Sequence, residues 1–182
     1  VVKTEFLLGL TSLMAETLGS TQVPYVQERI GEIIVNLEMM KACVRTAEAD
    51  AKLNEWGVMC PAFGPLTAAR AMFSGTLYPR MAEIVQLLGS SSLMGLPSEA
   101  DFTAEIAPEL EKYLATDSTD ARDRVRLFHL AWDVACSAFG GRQTLYERFF
   151  GGDPVRNTML LYQGYNKSPA MDRVQRFLER EG

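Results

Sequence analysis

Apolar positions recur three or four residues apart along most of the chain, a spacing that predicts helices. Phe6, Leu7, Leu10, Leu13, Met14 and Leu18 share the first helical face, and Gly19-Ser20 closes it, glycine being the usual residue just past a helix end. The next segment has the clearest pattern. Pro24 suits a first turn, and Val26, Ile30, Ile33, Leu37, Met40, Val44, Ala47 and Ala51 follow in alternating steps of four and three. Such a seven-residue repeat packs at shallow angles. A helix from Pro24 to about Asn54 would be about 45 Å long at 1.5 Å per residue. Helices of that length belong to bundles and often cross between subunits, so this face is expected to pack between subunits.

Trp56 to Pro65 holds Gly57, Pro61, Gly64 and Pro65 and reads as a loop. Leu66, Ala69, Met72, Phe73, Leu77, Met81, Ile84, Val85 and Leu88 predict a third helix, which Pro79 should kink or break. Gly89 to Ser118 is irregular, with a short helix near Pro108 to Leu114. Asp117-Ser118-Thr119-Asp120 caps a fourth long helix, faced by Val125, Phe128, Trp132, Ala135 and Phe139. Gly140-Gly141 is placed to interrupt it before Leu145, Tyr146, Phe149 and Phe150 resume the pattern. Asp153-Pro154 and Ser168-Pro169 each open a further helix, the last from Ala170 to Arg180. No alternating pattern predicts a strand. The expected fold is all-α, an antiparallel four-helix bundle with short extra C-terminal helices, in one domain over residues 1–182.

Charge narrows the function. With 18 Lys+Arg against 23 Asp+Glu and a net charge of -5, the chain lacks the basic stripe that a nucleic-acid binder needs. No apolar run reaches the roughly 18 residues of a membrane span. Three scattered cysteines, Cys43, Cys60 and Cys136, imply no disulfide framework, which fits a reducing, cytoplasmic setting. The chain starts at Val1, and its amphipathic pattern starts almost at once. It therefore reads as part of a longer protein.

Candidate chemistry is sparse. The single histidine, His129, has no Gly-x-Ser-x-Gly nucleophile turn to serve. His129 and Cys136 are seven apart on one helical face, but two further ligands with paired spacing are missing, so no metal site is expected. Phe139-Gly140-Gly141-Arg142 combines close backbone approach with a guanidinium that can bind phosphate. Gly151-Gly152-Asp153-Pro154-Val155 opens a helix whose N–H groups could meet an anion. Each alone is more often a kink or a turn. Glu28, Glu32, Asp133 and Glu147 read as solvated faces or ion pairs.

The run Ser137-Ala138-Phe139-Gly140-Gly141-Arg142-Gln143-Thr144-Leu145-Tyr146-Glu147-Arg148 resembles the signature of the oxygenase component of 4-hydroxyphenylacetate 3-monooxygenase. Val26-Gln27-Glu28-Arg29-Ile30-Gly31-Glu32-Ile33, Tyr78-Pro79-Arg80, Leu96-Pro97-Ser98 and Leu127 through Trp132-Asp133 agree in order. The resemblance implies the C-terminal helical domain of an acyl-CoA-dehydrogenase-like fold, one that builds a tetramer. It implies an enzyme that takes reduced FAD from a separate flavin reductase, forms a flavin hydroperoxide and hydroxylates a phenol beside its hydroxyl. The residues that hold the phenol belong to earlier domains, so no catalytic residue is expected in this chain. The resemblance assigns flavin contact to Gly140, Gly141, Arg142, Gly152, Asp153, Pro154 and Val155, and more weakly to Gln27. Relatives with this pattern include chlorophenol hydroxylases, enzymes of siderophore chromophore synthesis and 4-hydroxybutyryl-CoA dehydratase. The dehydratase's Cys and His cluster ligands are not reproduced here. The competing reading is a helical assembly module that binds no ligand.

Overall fold

A computed structural model describes residues 1–179. It is almost entirely helical. Helices α1 (Val2–Thr17), α2 (Pro24–Ala49), α3 (Phe63–Met72), α4 (Tyr78–Gly89) and α7 (Ala121–Ala135) build the bundle. The short α5 (Ser91–Met94) and α6 (Ala107–Leu114) bridge α4 to α7, and α8 (Ala138–Phe150), α9 (Pro154–Gly164) and α10 (Ser168–Leu178) follow. The expected last residue of α10, Arg180, lies outside the described residues.

Pairing across the bundle gives its direction. Thr4 at the start of α1 meets Met40 late in α2, and only residues 18–23 join the two helices, so α1 and α2 run antiparallel. Ala62 donates its N–H to the Ala47 carbonyl, and Arg80 reaches Glu32, so α3 and α4 return along α2. One cluster joins Leu7, Leu10 and Met14 of α1 to Ile33 of α2, Ile84 and Val85 of α4, and Phe128 of α7. Burial of such side chains contributes roughly 1.5–3 kcal/mol each.

The heptad face of α2 lies inside this core. Val26, Ile33, Leu37, Met40 and Ala47 are buried within the chain itself, which corrects the expectation that this face packs between subunits. The apolar residues that α2 leaves outside are others, Tyr25, Ile34, Val35 and Met39. The helix also stops at Ala49, short of Asn54. The next residues form a small antiparallel hairpin, β1 (Lys52–Leu53) with β2 (Met59–Cys60), where no strand was predicted. Its tip explains the departure. The Asn54 side-chain oxygen accepts from the N–H groups of Trp56 and Val58, and Gly57 takes a positive φ of 72°. A local turn of this kind competes with helix continuation, and two-residue strands are too short to show alternation.

Pro79 does not break the third helix. A π turn, Phe73–Leu77, joins α3 to α4 without a gap, and Tyr78 donates its N–H to the Phe73 carbonyl. Pro79 has no N–H to return, and it follows directly on this widened turn. Hydroxyls of Ser74 and Thr76 bond the Arg70 and Met72 carbonyls just upstream.

Gly140-Gly141 does not interrupt the fourth helix either. The break falls at Cys136-Ser137, where both N–H groups converge on the Trp132 carbonyl. The fourth helix opens as predicted, with Asp120 accepting from the Asp123 N–H.

Arg80 grips Glu32 through Nε at 2.8 Å and Nη2 at 2.9 Å and ties α4 to α2. The hydrogen bonds from Arg80 hold the Glu32 carboxyl below its ordinary value of 4.5, against a smaller opposing effect of burial. A lowered folded-state pKa gives stability that is present above the ordinary carboxylate range and lost as pH falls through it. Urea denaturation should therefore weaken between about pH 6 and pH 3 less steeply in Glu32→Gln than in the parent. The difference should be below about 1 kcal/mol, because the pair is partly exposed. Equal slopes would mean that the pair does not couple folding to pH.

Candidate functional site

The residues expected to meet a cofactor fall on two helix N-termini. The first is that of α8. Ser137 caps it: its hydroxyl oxygen accepts from the Gly140 N–H at 3.0 Å and donates to the Asp133 carbonyl at 2.8 Å. The cap holds the α7–α8 corner tight, and Gly140 is buried in it. A Cβ at Gly140 would lie 2.6 Å from the Val134 carbonyl oxygen and 2.7 Å from that of Asp133. Its missing side chain therefore serves close approach within the chain. Gly141 is different, exposed with open space where a Cβ would be. Arg142 is exposed one residue on and has no ion-pair partner among the described residues.

Sequence reasoning missed two groups here. With Gly140 N–H taken by Ser137, the first-turn N–H groups of Ala138 and Phe139 have no partner among the described residues. Two free donors at the positive end of a helix dipole, with a guanidinium nearby, suit an anion. The signal was the serine three residues before Gly140, which was read only as part of a longer motif.

The second cluster is the N-terminus of α9. Gly152 has a φ of 96°, a conformation that favours glycine. Asn157 is buried against it and donates through Nδ2 to the carbonyls of Gly151 and Gly152 at 3.1 and 3.2 Å. Asp153 accepts from the Arg156 N–H at 3.1 Å, so the carboxylate caps its own helix as expected. Pro154 has no N–H to offer, which leaves that of exposed Val155. Pro154 itself packs at the π turn: a Cβ on Gly75 would stand 3.3 Å from the Pro154 Cβ.

The two clusters sit at opposite ends of α8. Gly140 and Phe150 are about 15 Å apart along its axis at 1.5 Å per residue. The chain does not bring them onto one phosphate group. Gln27 stands apart from both, exposed on the first turn of α2 and donating to the Thr21 carbonyl at 2.9 Å.

Of the two readings of Glu147, a solvated face or an ion pair, the structure shows the ion pair. The Glu147 side chain is only 8% exposed, held by Lys3 of α1 and by Gln143 Nε2 at 2.7 Å. This ion pair clamps the far half of α8 onto the start of α1. His129 is exposed with Nε2 2.9 Å from the Pro97 carbonyl oxygen, and Cys136 ends α7. Among the described residues no helix is long and apolar enough to cross a membrane.

Comparison with known proteins gives the site a context. The family described as 4-hydroxyphenylacetate 3-hydroxylase, C terminal, matches residues 1–179. The 4-hydroxyphenylacetate 3-monooxygenase oxygenase component of Thermus thermophilus is 49% identical over 177 residues, covering 97% of this chain and 37% of that protein. A crystal structure of the oxygenase component of 4-hydroxyphenylacetate 3-monooxygenase, complexed with FAD and 4-hydroxyphenylacetate, superposes with a TM-score of 0.91 at 49% identity. It covers 98% of this chain and 37% of that one. An oxygen-tolerant archaeal 4-hydroxybutyryl-CoA dehydratase from N. maritimus shares the fold, with a TM-score of 0.81 at 20% identity over 94% of this chain and 35% of that one. The chain thus spans little more than a third of the length of the relatives it matches.

The two glycines of the signature should behave oppositely. Gly140→Ala drives a methyl into backbone atoms and should cost roughly 1–3 kcal/mol, the range for overpacking. Gly141→Ala meets open space in a helix and should be neutral or stabilising by up to about 1 kcal/mol. Thermal or urea denaturation of both variants checks this, and equal effects would refute the packing role given to Gly140.

Proposed function

The chain belongs to the family of 4-hydroxyphenylacetate 3-hydroxylase C-terminal domains, and on that premise we propose that it serves as the C-terminal domain of a two-component, flavin-dependent phenol hydroxylase. In this reading the 182 residues form one domain of a longer cytoplasmic polypeptide. The enzyme takes reduced FAD from a separate flavin reductase and hydroxylates a phenol beside its hydroxyl. It works as a homo-oligomer, a tetramer. The observation that carries the proposal is the 49% identity, over nearly the whole chain, to an oxygenase component solved with FAD and 4-hydroxyphenylacetate.

The chain's own part is binding and assembly. FAD would supply the oxygen chemistry. Its pyrophosphate is a dianion, and the α8 N-terminus suits it better than that of α9. The first offers the N–H groups of Ala138 and Phe139 with Arg142 nearby, and the second offers Val155 N–H beside the negative Asp153. Gly141 keeps the approach to α8 open. Gly152, Pro154 and Gln27 would act at most through shape, since their polar groups are engaged locally or absent.

Anaerobic titration of the full-length enzyme with reduced FAD tests the assignment. Arg142→Ala should weaken binding by roughly 1.5–3 kcal/mol, the range for a charged hydrogen bond. Gly152→Val should weaken it by a smaller factor, with phenol affinity little changed. Parent-like binding in both variants, with assembly intact, would overturn the flavin role of these turns.

The 182 residues alone should hydroxylate no phenol when given reduced FAD and oxygen. A flavin hydroperoxide survives only where water is excluded, and both candidate turns lie on the open surface of this chain. Catechol formation above a protein-free control, measured by chromatography, would show that catalytic groups lie within these residues.

A further inference from the structure

Helix α8 is packed with its polar side inward. At 100° per residue, Gly140, Gln143, Thr144 and Glu147 fall within an arc of roughly 100°. That arc is the side the chain covers: Gly140 and Glu147 are buried, Gln143 and Thr144 half-buried. Leu145, Tyr146 and Phe149 lie on the far side, 46–59% exposed, with Arg142 among them. Burial of apolar surface would turn such a helix the other way. The roll of α8 about its own axis is therefore set by something else.

Two contacts hold it. At the start of α8, the Ser137 cap and the packing of Gly140 against the Asp133 and Val134 carbonyls fix the corner. Two turns on, about 10 Å along the axis, the buried Glu147 carboxylate accepts from Gln143 Nε2 at 2.7 Å and from the Lys3 ammonium of α1. Lys3 also lies 5.6 Å from the Tyr146 ring centroid, and Tyr146 stacks on Phe150 with centroids 4.7 Å apart. A helix fixed at one end is free to roll, and the second contact removes that freedom. An ion pair suits the task. Exchange of a desolvated pair for well-packed apolar groups is often neutral for stability, so the charges contribute less to holding α8 down than to choosing which side of it faces the core. Lys3 attracts Glu147 and has no counterpart on the apolar side of the helix.

Resting on the reading that α8 meets the pyrophosphate of FAD, we propose that Glu147 is a positioning residue: paired with Lys3, it locks the roll of α8 and so aims Arg142, roughly 140° around the axis from it, at the cofactor. Without the lock, the apolar side rolls toward the core and carries the Arg142 guanidinium off the approach that Gly141 keeps open. The first-turn N–H groups of Ala138 and Phe139 point along the axis, and a roll leaves them in place. The influence of Glu147 on flavin therefore runs through Arg142.

The test is anaerobic titration of the full-length enzyme with reduced FAD. Glu147→Gln keeps the shape of the side chain and removes its charge. It should raise the Kd for reduced FAD at least fivefold, with phenol affinity at saturating flavin changed less than twofold. Lys3→Met, at the other end of the pair, should do the same, and the double variant should lose no more than either single one. In an Arg142→Ala background, Glu147→Gln should have no further effect, because residues that act through one another are not additive. Glu32→Gln removes an ion pair that does not touch α8 and should leave the Kd within twofold of the parent. Circular dichroism checks that each variant folds, and Lys3→Met, at a half-exposed site, carries the test if Glu147→Gln does not fold. Parent-like binding in Arg142→Ala would remove the flavin reading and this inference with it. Weakened binding in Arg142→Ala, but parent-like binding in either folded variant of the pair, overturns the lock alone. A loss on Glu147→Gln that persists undiminished in the Arg142→Ala background, or that Glu32→Gln shares, would mark the pair as ordinary structural support, which also overturns it.

Discussion

The widened turn in the helix from Phe63 to Gly89 is the constraint on which the rest of this domain depends. The bundle needs one rod that touches nearly every other element, and the sequence puts a proline, Pro79, in that rod. An α-helical turn there would set the proline ring against the preceding carbonyl. The π turn at Phe73–Leu77 takes up the misfit and leaves Met81, Ile84 and Val85 fully buried in the centre. The same turn brings Gly75 to the surface where Pro154 packs, so it also places the start of α9. Gly164 at the other end of α9 lies against Phe63 at the start of α3, so α9 is registered on the rod at both ends.

That arrangement separates two roles that glycine plays at the starts of α8 and α9. Gly140 and Gly152 are conformational: one lets the α7–α8 corner close, and the other supplies a positive φ under the Asn157 side chain. Gly141 faces outward with empty space above it. A ligand that approaches this chain meets surfaces that these packed glycines hold rigid. Rigid presentation matters for a partly formed site, because ordering a loop at the moment of binding would subtract from affinity.

How far the sequence was legible depended on the range of the interaction. Helix existence followed from spacing alone, because burial of one face shows up as a period of three to four residues. The caps at Asp120 and Asp153 were legible too, since a cap is a contact between near neighbours. The errors lay where distant parts decide. Nothing in the heptad of α2 tells whether its neighbour is the same chain or another, and it proved to be α1, α3 and α4 of the same chain. Nothing local tells that Glu147 is buried, because its cation, Lys3, is 144 residues away. The π turn was hidden for a related reason. One extra residue in a turn barely disturbs the apolar spacing, and Pro79 argued for a kink or a break. The family signature was readable, but what each residue in it does was not. Glycine looks the same in sequence whether it makes room for a ligand or for the chain's own backbone.

The distribution of buried surface then bears on how such a domain works. Its four main helices close a core that is complete in itself, with buried residues from α1, α2, α4 and α7. From α8 onward burial thins, to Gly140 and Glu147 in α8, Asn157 in α9 and none in α10. Each of those buried residues is polar or has no side chain, and each fixes a helix end or clamps a helix to the core. The apolar residues of the same segment, Phe139, Phe149, Phe150, Met159 and Phe177 among them, stay outside. A segment that uses polar contacts to hold its position and keeps apolar ones outward is organised to present them. The candidate anion site at the start of α8 belongs to this presented surface. Its two N–H groups, which have no partner among the described residues, and Arg142 gain strength as electrostatic contacts only when something apolar covers them and lowers the local dielectric. The outward aromatic at Phe139, directly beside those donors, is the residue most directly placed to supply that cover once a partner surface closes over it.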